Sequence, residues 1–198
     1  MKTVTFRMTG ISPYSQSKLI SAPKLGKETH RDHEARCWRD RMHVDAQGAA
    51  FIPPMAIKNA LSEMAKFLSM QIPGKGKSTY TKHFEAGIMC FDPVVVHDAS
   101  GAPVKVKSIK GEWLFVPASG RRGDGKRVEK CFPVVEAGWQ GFVSLVVVDE
   151  MITPEVLQIH LESMGKFIGI GRFRPRNNGF YGRFKVSEIE WASVRDAA

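Results

Sequence analysis

Two stretches of this chain carry the same apolar stripe, and together they restrict the fold more than any other feature. Ile57, Leu61, Met64 and Leu68 recur at i, i+4, i+7 and i+11, and Leu157, Leu161, Met164 and Ile168 repeat that spacing. Residues so spaced share one face of an α-helix, and Lys58, Ser62 and Lys66 fall elsewhere on the first wheel. Pro54 suits the first turn of the first helix, where its missing N–H costs nothing; Thr153 and Pro154 supply an N-cap and the same entry for the second.

The remaining sequence supplies four strands. "KTVTFRM" alternates, with Val4, Phe6 and Met8 on one face and Thr3, Thr5 and Arg7 on the other. "GIMCFDPVVV" (87–96) reads as a second strand, interrupted or bulged near Pro93. "GFVSLVVV" (141–148) reads as a buried central strand. "YGRFKVSEIEW" closes the series; Phe184/Val186 and Ile189/Trp191 fall on opposite parities, which predicts a bulge between the pairs. The order is β-α-β-β-α-β, an α+β fold of the ferredoxin-like or RRM-like kind, in one domain over residues 1–198. Two long inserts interrupt it, at about 10–50 after the first strand and at 97–137 between the second and third. The sheet of such a fold commonly serves as a nucleic-acid platform.

Charge directs the functional reading. Lys and Arg total 29 against 20 acids, a formal charge of +9 that attracts polyanions, nucleic acid before anionic membrane. No apolar run reaches transmembrane length, "MKTVTFRMTG" lacks the apolar core of a secretory signal, and Cys37, Cys90 and Cys131 do not make a disulfide framework. A reduced, cytoplasmic protein without membrane partners is expected.

Four stretches bear on chemistry. From Lys166 to Lys185 the basic residues Lys166, Arg172, Arg174, Arg176, Arg183 and Lys185 meet no acid. Within "GIGRFRPRNNGFYGRF" (169–184), Gly169, Gly171, Gly179 and Gly182 would let backbone N–H groups approach a ligand. Arginine forks match phosphate oxygens, and Phe173, Phe180 and Tyr181 can stack on bases. The alternative is a helix C-cap at Gly169 followed by a turn at Asn178-Gly179 with solvated arginines; the one-sided charge favours phosphate binding. "QIPGKGKSTYTKHF" (71–84) is not a P-loop, because Gln71 stands where glycine is required and a helix precedes it. It is either a mobile basic loop that touches phosphates through Lys75, Lys77 and Lys82 or a plain surface linker.

The 97–137 insert looks like a hairpin with a basic tip, "GRRGDGKRVEK", whose Arg121, Arg122, Lys126, Arg127 and Lys130 outnumber Asp124 and Glu129. It is either a solvated arm or a finger laid along a polyanion. In "HRDHEARCWRDRMHVD" (30–45), His30, His33, Cys37 and His43 match no zinc spacing, so a solvated helical or irregular segment is expected, with no metal site. Asp32, Asp40 and Asp45 have no local motif that would make them hydrolytic, and no nucleophile–base signature appears. Neither a catalytic site nor a cofactor is expected.

Three of these features resemble the RAMP superfamily of CRISPR proteins, specifically the backbone subunit that polymerises along guide RNA (the Cas-seven family). "FIPPMAIKNAL" is similar to that family's segment at the start of the first helix, although Pro53-Pro54-Met55 replaces the usual Gly-Ser-Ser. The β-α-β-β-α-β order with an insert between the second and third strands resembles the thumb-bearing core. "GIGRFRPRNNGFYGRF" resembles the glycine-rich loop before the last strand. The chain is short for such a subunit.

The resemblance implies a non-catalytic protein that holds the phosphate backbone of a single-stranded guide RNA. Copies would align head to tail beside other effector subunits in antiviral defence. It assigns backbone contacts to Lys58, to Arg172, Arg174 and Arg176 and to the basic inserts; with the residues read above, the candidate RNA contacts are Lys58, Lys75, Lys77, Lys82, Arg121, Arg122, Lys126, Arg127, Arg172, Phe173, Arg174, Arg176, Tyr181 and Arg183. Two other readings stand beside it. One is a phage-type protein of this fold that binds single strands or inhibits a host CRISPR complex as a mimic. The other is a RAMP ribonuclease, for which His30, His33, His43 and His83 are the available bases and Asp32 lies where some relatives cut target RNA.

Overall fold

In a computed structural model, the structure describes every residue except 121, 122, 124 and 194–198. Four strands form the main sheet in the spatial order β4 (Ile88–Met89), β8 (Gln140–Val147), β1 (Lys2–Gly10), β9 (Phe184–Ser193), each antiparallel to its neighbours. Helix α2 (Pro54–Leu68) joins β1 to β4, and α4 (Pro154–Ser163) joins β8 to β9. This is the ferredoxin-like α+β arrangement.

The helices fill the core as their stripes dictate. Ile57, Leu61 and Met64 of α2, with Leu157, Leu161 and Met164 from the second stripe, are buried together with Val4, Phe6 and Met8 of β1 and Val143, Leu145 and Val147 of β8. The Thr153 hydroxyl accepts from the Val156 N–H, closing the N-terminus of α4. Beyond Ser163 the second helix widens into a π-turn over Met164–Ile168, and Gly169 ends it at φ +66°. Gly165 lies against the Phe184 backbone, so the turn packs directly on β9.

The expected bulge in the last strand is present: Thr5 pairs with Glu190 but Arg7 with Ser187, and Glu188 takes φ +54°. It turns both Val186 and Trp191 toward the core despite their opposite parities. The second strand breaks more completely than expected. Ile88–Met89 stay in the main sheet, whereas β5 (Val94–Val95) leaves it to pair with β3 (Phe51–Ile52). The central strand β8 is buried on one face only, since Phe142 is exposed on the other.

The two inserts fold onto each other. β6 (Lys110–Pro117) and β7 (Arg127–Val135) make the expected hairpin, and β2 (Tyr14–Ser15) of the first insert adds to its edge. Helix α1 (His30–Cys37) and the 3₁₀ turn Trp38–Arg41 pack on β7. The expectation of a solvated 30–45 segment is therefore corrected, because Glu34, Cys37 and Trp38 are buried. Among the described residues no helix is long and apolar enough to cross a membrane.

Candidate nucleic-acid interface

The glycine-rich segment is a braced structure. Its two arms bond to each other and to the start of the first insert: Ile170 N–H donates to Gly182 C=O (3.0 Å), Tyr181 N–H to Phe173 C=O (3.1 Å), Arg172 N–H to Ser15 C=O (2.8 Å) and Gly182 N–H to Pro13 C=O (2.7 Å). Two glycines permit this. Gly171 and Gly182 have φ of +78° and +66°, and a Cβ on either would run into the carbonyl of Ser15 or Ile170. The N–H groups of Gly169, Gly179 and Gly182 all donate to the protein's own carbonyls, which corrects the expectation that they face a ligand.

The arginines divide by direction. Arg174 and Arg176 reach Glu63 on α2 at 2.8 and 3.4 Å, fastening the segment to the first helix. Arg183 is exposed at the foot of β9. Arg172 turns inward. Its side chain is 5% exposed, and the guanidinium carbon lies 3.3 Å from the ring centre of Phe132 and 3.7 Å from that of Phe173. Both of its terminal nitrogens are buried without a hydrogen-bond partner among the described residues, and the nearest carboxylate, Glu112, stands 3.9 Å away. Burial lowers the Arg172 pKa to about 10. Glu112 instead accepts from the Tyr181 hydroxyl at 2.8 Å; burial first, and then that bond, raise the tyrosine pKa to about 12. Tyr181 is itself buried, so its ring is a wall and offers bases no open face.

Arg172 stands where two cavities meet. One, of about 340 Å³, is lined by Arg41, Lys130, Arg172, Phe132 and Phe173 together with Ser17 and the hairpin end around Val116. The other, of about 260 Å³, shares Ser17 and Arg172 and adds Lys18, His43 and Gln16. Among the described residues no carboxylate lines either one. Together they form a basic cleft between the glycine-rich segment, the start of the first insert and the hairpin.

The cleft walls are held by buried polar groups. Gln16 donates to Phe51 C=O (2.7 Å) and to the Tyr14 hydroxyl (2.6 Å) and accepts from the His43 N–H (2.7 Å). Arg41 grips both oxygens of Glu34 at 2.7 and 2.8 Å, and Glu34 also accepts from the Cys131 N–H at 3.0 Å. That ion pair ties the first insert to β7 and neutralises Arg41, leaving Lys18, Lys130 and Arg172 as the cations that set the cleft's charge. The Lys130 ammonium donates to Ala118 C=O at 3.1 Å, using one of its three N–H donors. Burial, with Lys18 adding repulsion, lowers the His43 pKa.

Other sequence candidates lie elsewhere. The Lys58 ammonium donates to the carbonyls of Phe84 (2.6 Å) and Glu85 (2.8 Å), capping helix α3 (Thr81–Ala86), and to the Ser62 hydroxyl on its own helix (3.2 Å), so all three protons are engaged. Lys75 and Lys77 are exposed on a short turn closed by the Gln71–Thr79 bridge, and Lys82 is exposed on α3. Lys126 and Arg127 are exposed at the hairpin end; Arg121 and Arg122 lie outside the described residues. The structure thus brings Arg172, Phe173 and Lys130 of the basic hairpin together with Ser17, Lys18, Arg41 and Phe132, the last four unmarked by the sequence reading as a site. His83 bonds Asp149 at 2.7 Å, but neither residue lines the cleft. Among the described residues no three His, Cys, Asp or Glu side chains converge as a metal site.

No family model matches this sequence, and no curated protein does. Among solved structures, the chain is similar to one in a cryo-EM structure of the type III-B Cmr-beta bound to cognate target RNA, with 11% identity and a TM-score of 0.50. The match covers 96% of this chain and 60% of that one. What the two chains share is the fold.

Proposed function

We propose that this protein is a non-catalytic single-stranded RNA-binding subunit of a CRISPR-type effector. The observation that carries the reading is the cleft: among the described residues it is lined by the cations Lys18, Lys130 and Arg172, with Arg41 paired to Glu34, and by no acid, in a protein of net charge +9. Such a surface binds the phosphate backbone, and contacts of that kind position a strand without reading its sequence. The fold shared with a chain of an RNA-bound type III-B assembly supports RNA as the ligand and effector subunits as neighbours.

Copies add head to tail along the strand in this reading. A heterologous contact uses two different patches. The stacked, exposed Phe67 and Phe167 on the helical layer and the exposed Trp113 and Phe115 on β6 are two such patches.

The test is the salt dependence of binding to an oligouridylate. On single strands each phosphate contact contributes about −0.7 to the slope of log K against log salt. Changing Lys18 and Lys130 to alanine is expected to flatten the slope by roughly 1.4 while leaving the fold intact. A slope unchanged in the double variant would remove the cleft as the binding site.

A further inference from the structure

Arg172 occupies a place built for something flat. Two phenylalanine rings face its guanidinium at 3.3 and 3.7 Å, about the spacing at which aromatic faces stack on a nucleobase. Both terminal nitrogens lack a hydrogen bond among the described residues, and Glu112, the ion-pair partner at 3.9 Å, lies beyond hydrogen-bonding distance. A buried guanidinium without acceptors is an unfavourable resting state, and a phosphate oxygen would relieve it.

The backbone of both walls is held in place. Phe132 is buried in β7, beneath the Arg41 guanidinium at 5.0 Å. Phe173 is held at φ +51°, a left-handed conformation rare for an aromatic residue, by the Tyr181 N–H on its carbonyl and by Gly179 packed against its backbone. Both rings also line the cavity of about 340 Å³, so the slot opens into the cleft.

We propose that the Arg172 guanidinium is a displaceable occupant of a nucleobase slot. When a single strand enters the cleft, one unstacked base slides between Phe132 and Phe173, and the guanidinium moves out to a phosphate of the same strand. This rests on the RNA-binding reading and assigns the cleft one base in addition to the backbone. Stacking between two apolar faces accepts any base, and purines, with their larger faces, bind better than pyrimidines.

The experiment uses the full chain and oligouridylates carrying one 2-aminopurine at successive positions, whose fluorescence falls when the base stacks. The wild type is expected to quench it several-fold at one position. Phe173→Leu, at a half-exposed site, is expected to lose that quench and bind about 5-fold or more weakly, with an unchanged salt slope. Arg172→Ala is expected to keep the quench and flatten the slope by about 0.7. Binding without quenching at any position, or a quench that survives Phe173→Leu, would overturn the slot and leave RNA binding standing. A wild type that binds no oligonucleotide would overturn both.

Discussion

At residue scale, His160 shows how a polar group is accommodated at the centre of the fold. It is fully buried, stacked on Phe84 with ring centres 4.0 Å apart, and bonded through Nδ1 to Val156 C=O at 2.7 Å. A carbonyl only accepts, so Nδ1 carries the proton of the neutral ring, and Nε2 is buried with no partner among the described residues. Desolvation of the charged form lowers its pKa. The folded state therefore binds fewer protons than the unfolded chain, whose histidines titrate near about 6.5. Stability is fully retained above that value and is lost as pH falls from it through the depressed folded-state value, by at most about 1.4 kcal/mol per pH unit. Urea midpoints between pH 7.5 and 5 should drop for the wild type and drop less for His160→Leu; equal drops would assign the pH dependence to other groups.

At element scale, the glycine-rich segment depends on pairings that join remote parts of the chain. The two helices and four core strands were legible because apolar periodicity is a local signal, and the bulge at Glu188 was legible as a change of parity within one strand. The partners of the arginines were not. Arg174 and Arg176 meet Glu63 on α2, and Arg172 meets Phe132 on β7, so a stretch that is acid-free in sequence is partly neutralised in space. The pairs β3–β5 and β2–β7 were also missed, since strands of two residues carry no period and form only where tertiary packing places them. The cleft escaped for the same reason: Lys18 and Lys130 come from different inserts. Glu63 follows as a brake on the loop's charge. Glu63→Gln should free Arg174 and Arg176 and steepen the salt slope of RNA binding by about 0.7 for each that engages phosphate. A slope no steeper than wild type would mean that these arginines act only as struts.

At the scale of the whole molecule, the fold offers two surfaces to a strand, and their chemistry differs. The open face of the main sheet carries Thr5, Arg7, Phe142 and Ser144, with Glu188 and Glu190 beside them. Its arginine is already paired: Arg7 bonds Glu188 at 2.8 Å and Gln140 at 2.7 Å, and it lies over Phe142. One exposed aromatic among acids makes a poor platform for bases. Among the described residues the cleft has the opposite character, with cations, two phenylalanines against the Arg172 guanidinium and no acid lining it. In the proposed reading the inserts, rather than the sheet itself, supply the binding surface.

Photocrosslinking of 4-thiouridine RNA to the full chain, followed by mapping of the adducts by mass spectrometry, separates these surfaces directly. The account predicts adducts in residues 14–18, in β7 around Lys130 and Phe132, and at Arg172 and Phe173. Adducts confined to β1 and β8, at Arg7 and Phe142, would contradict it.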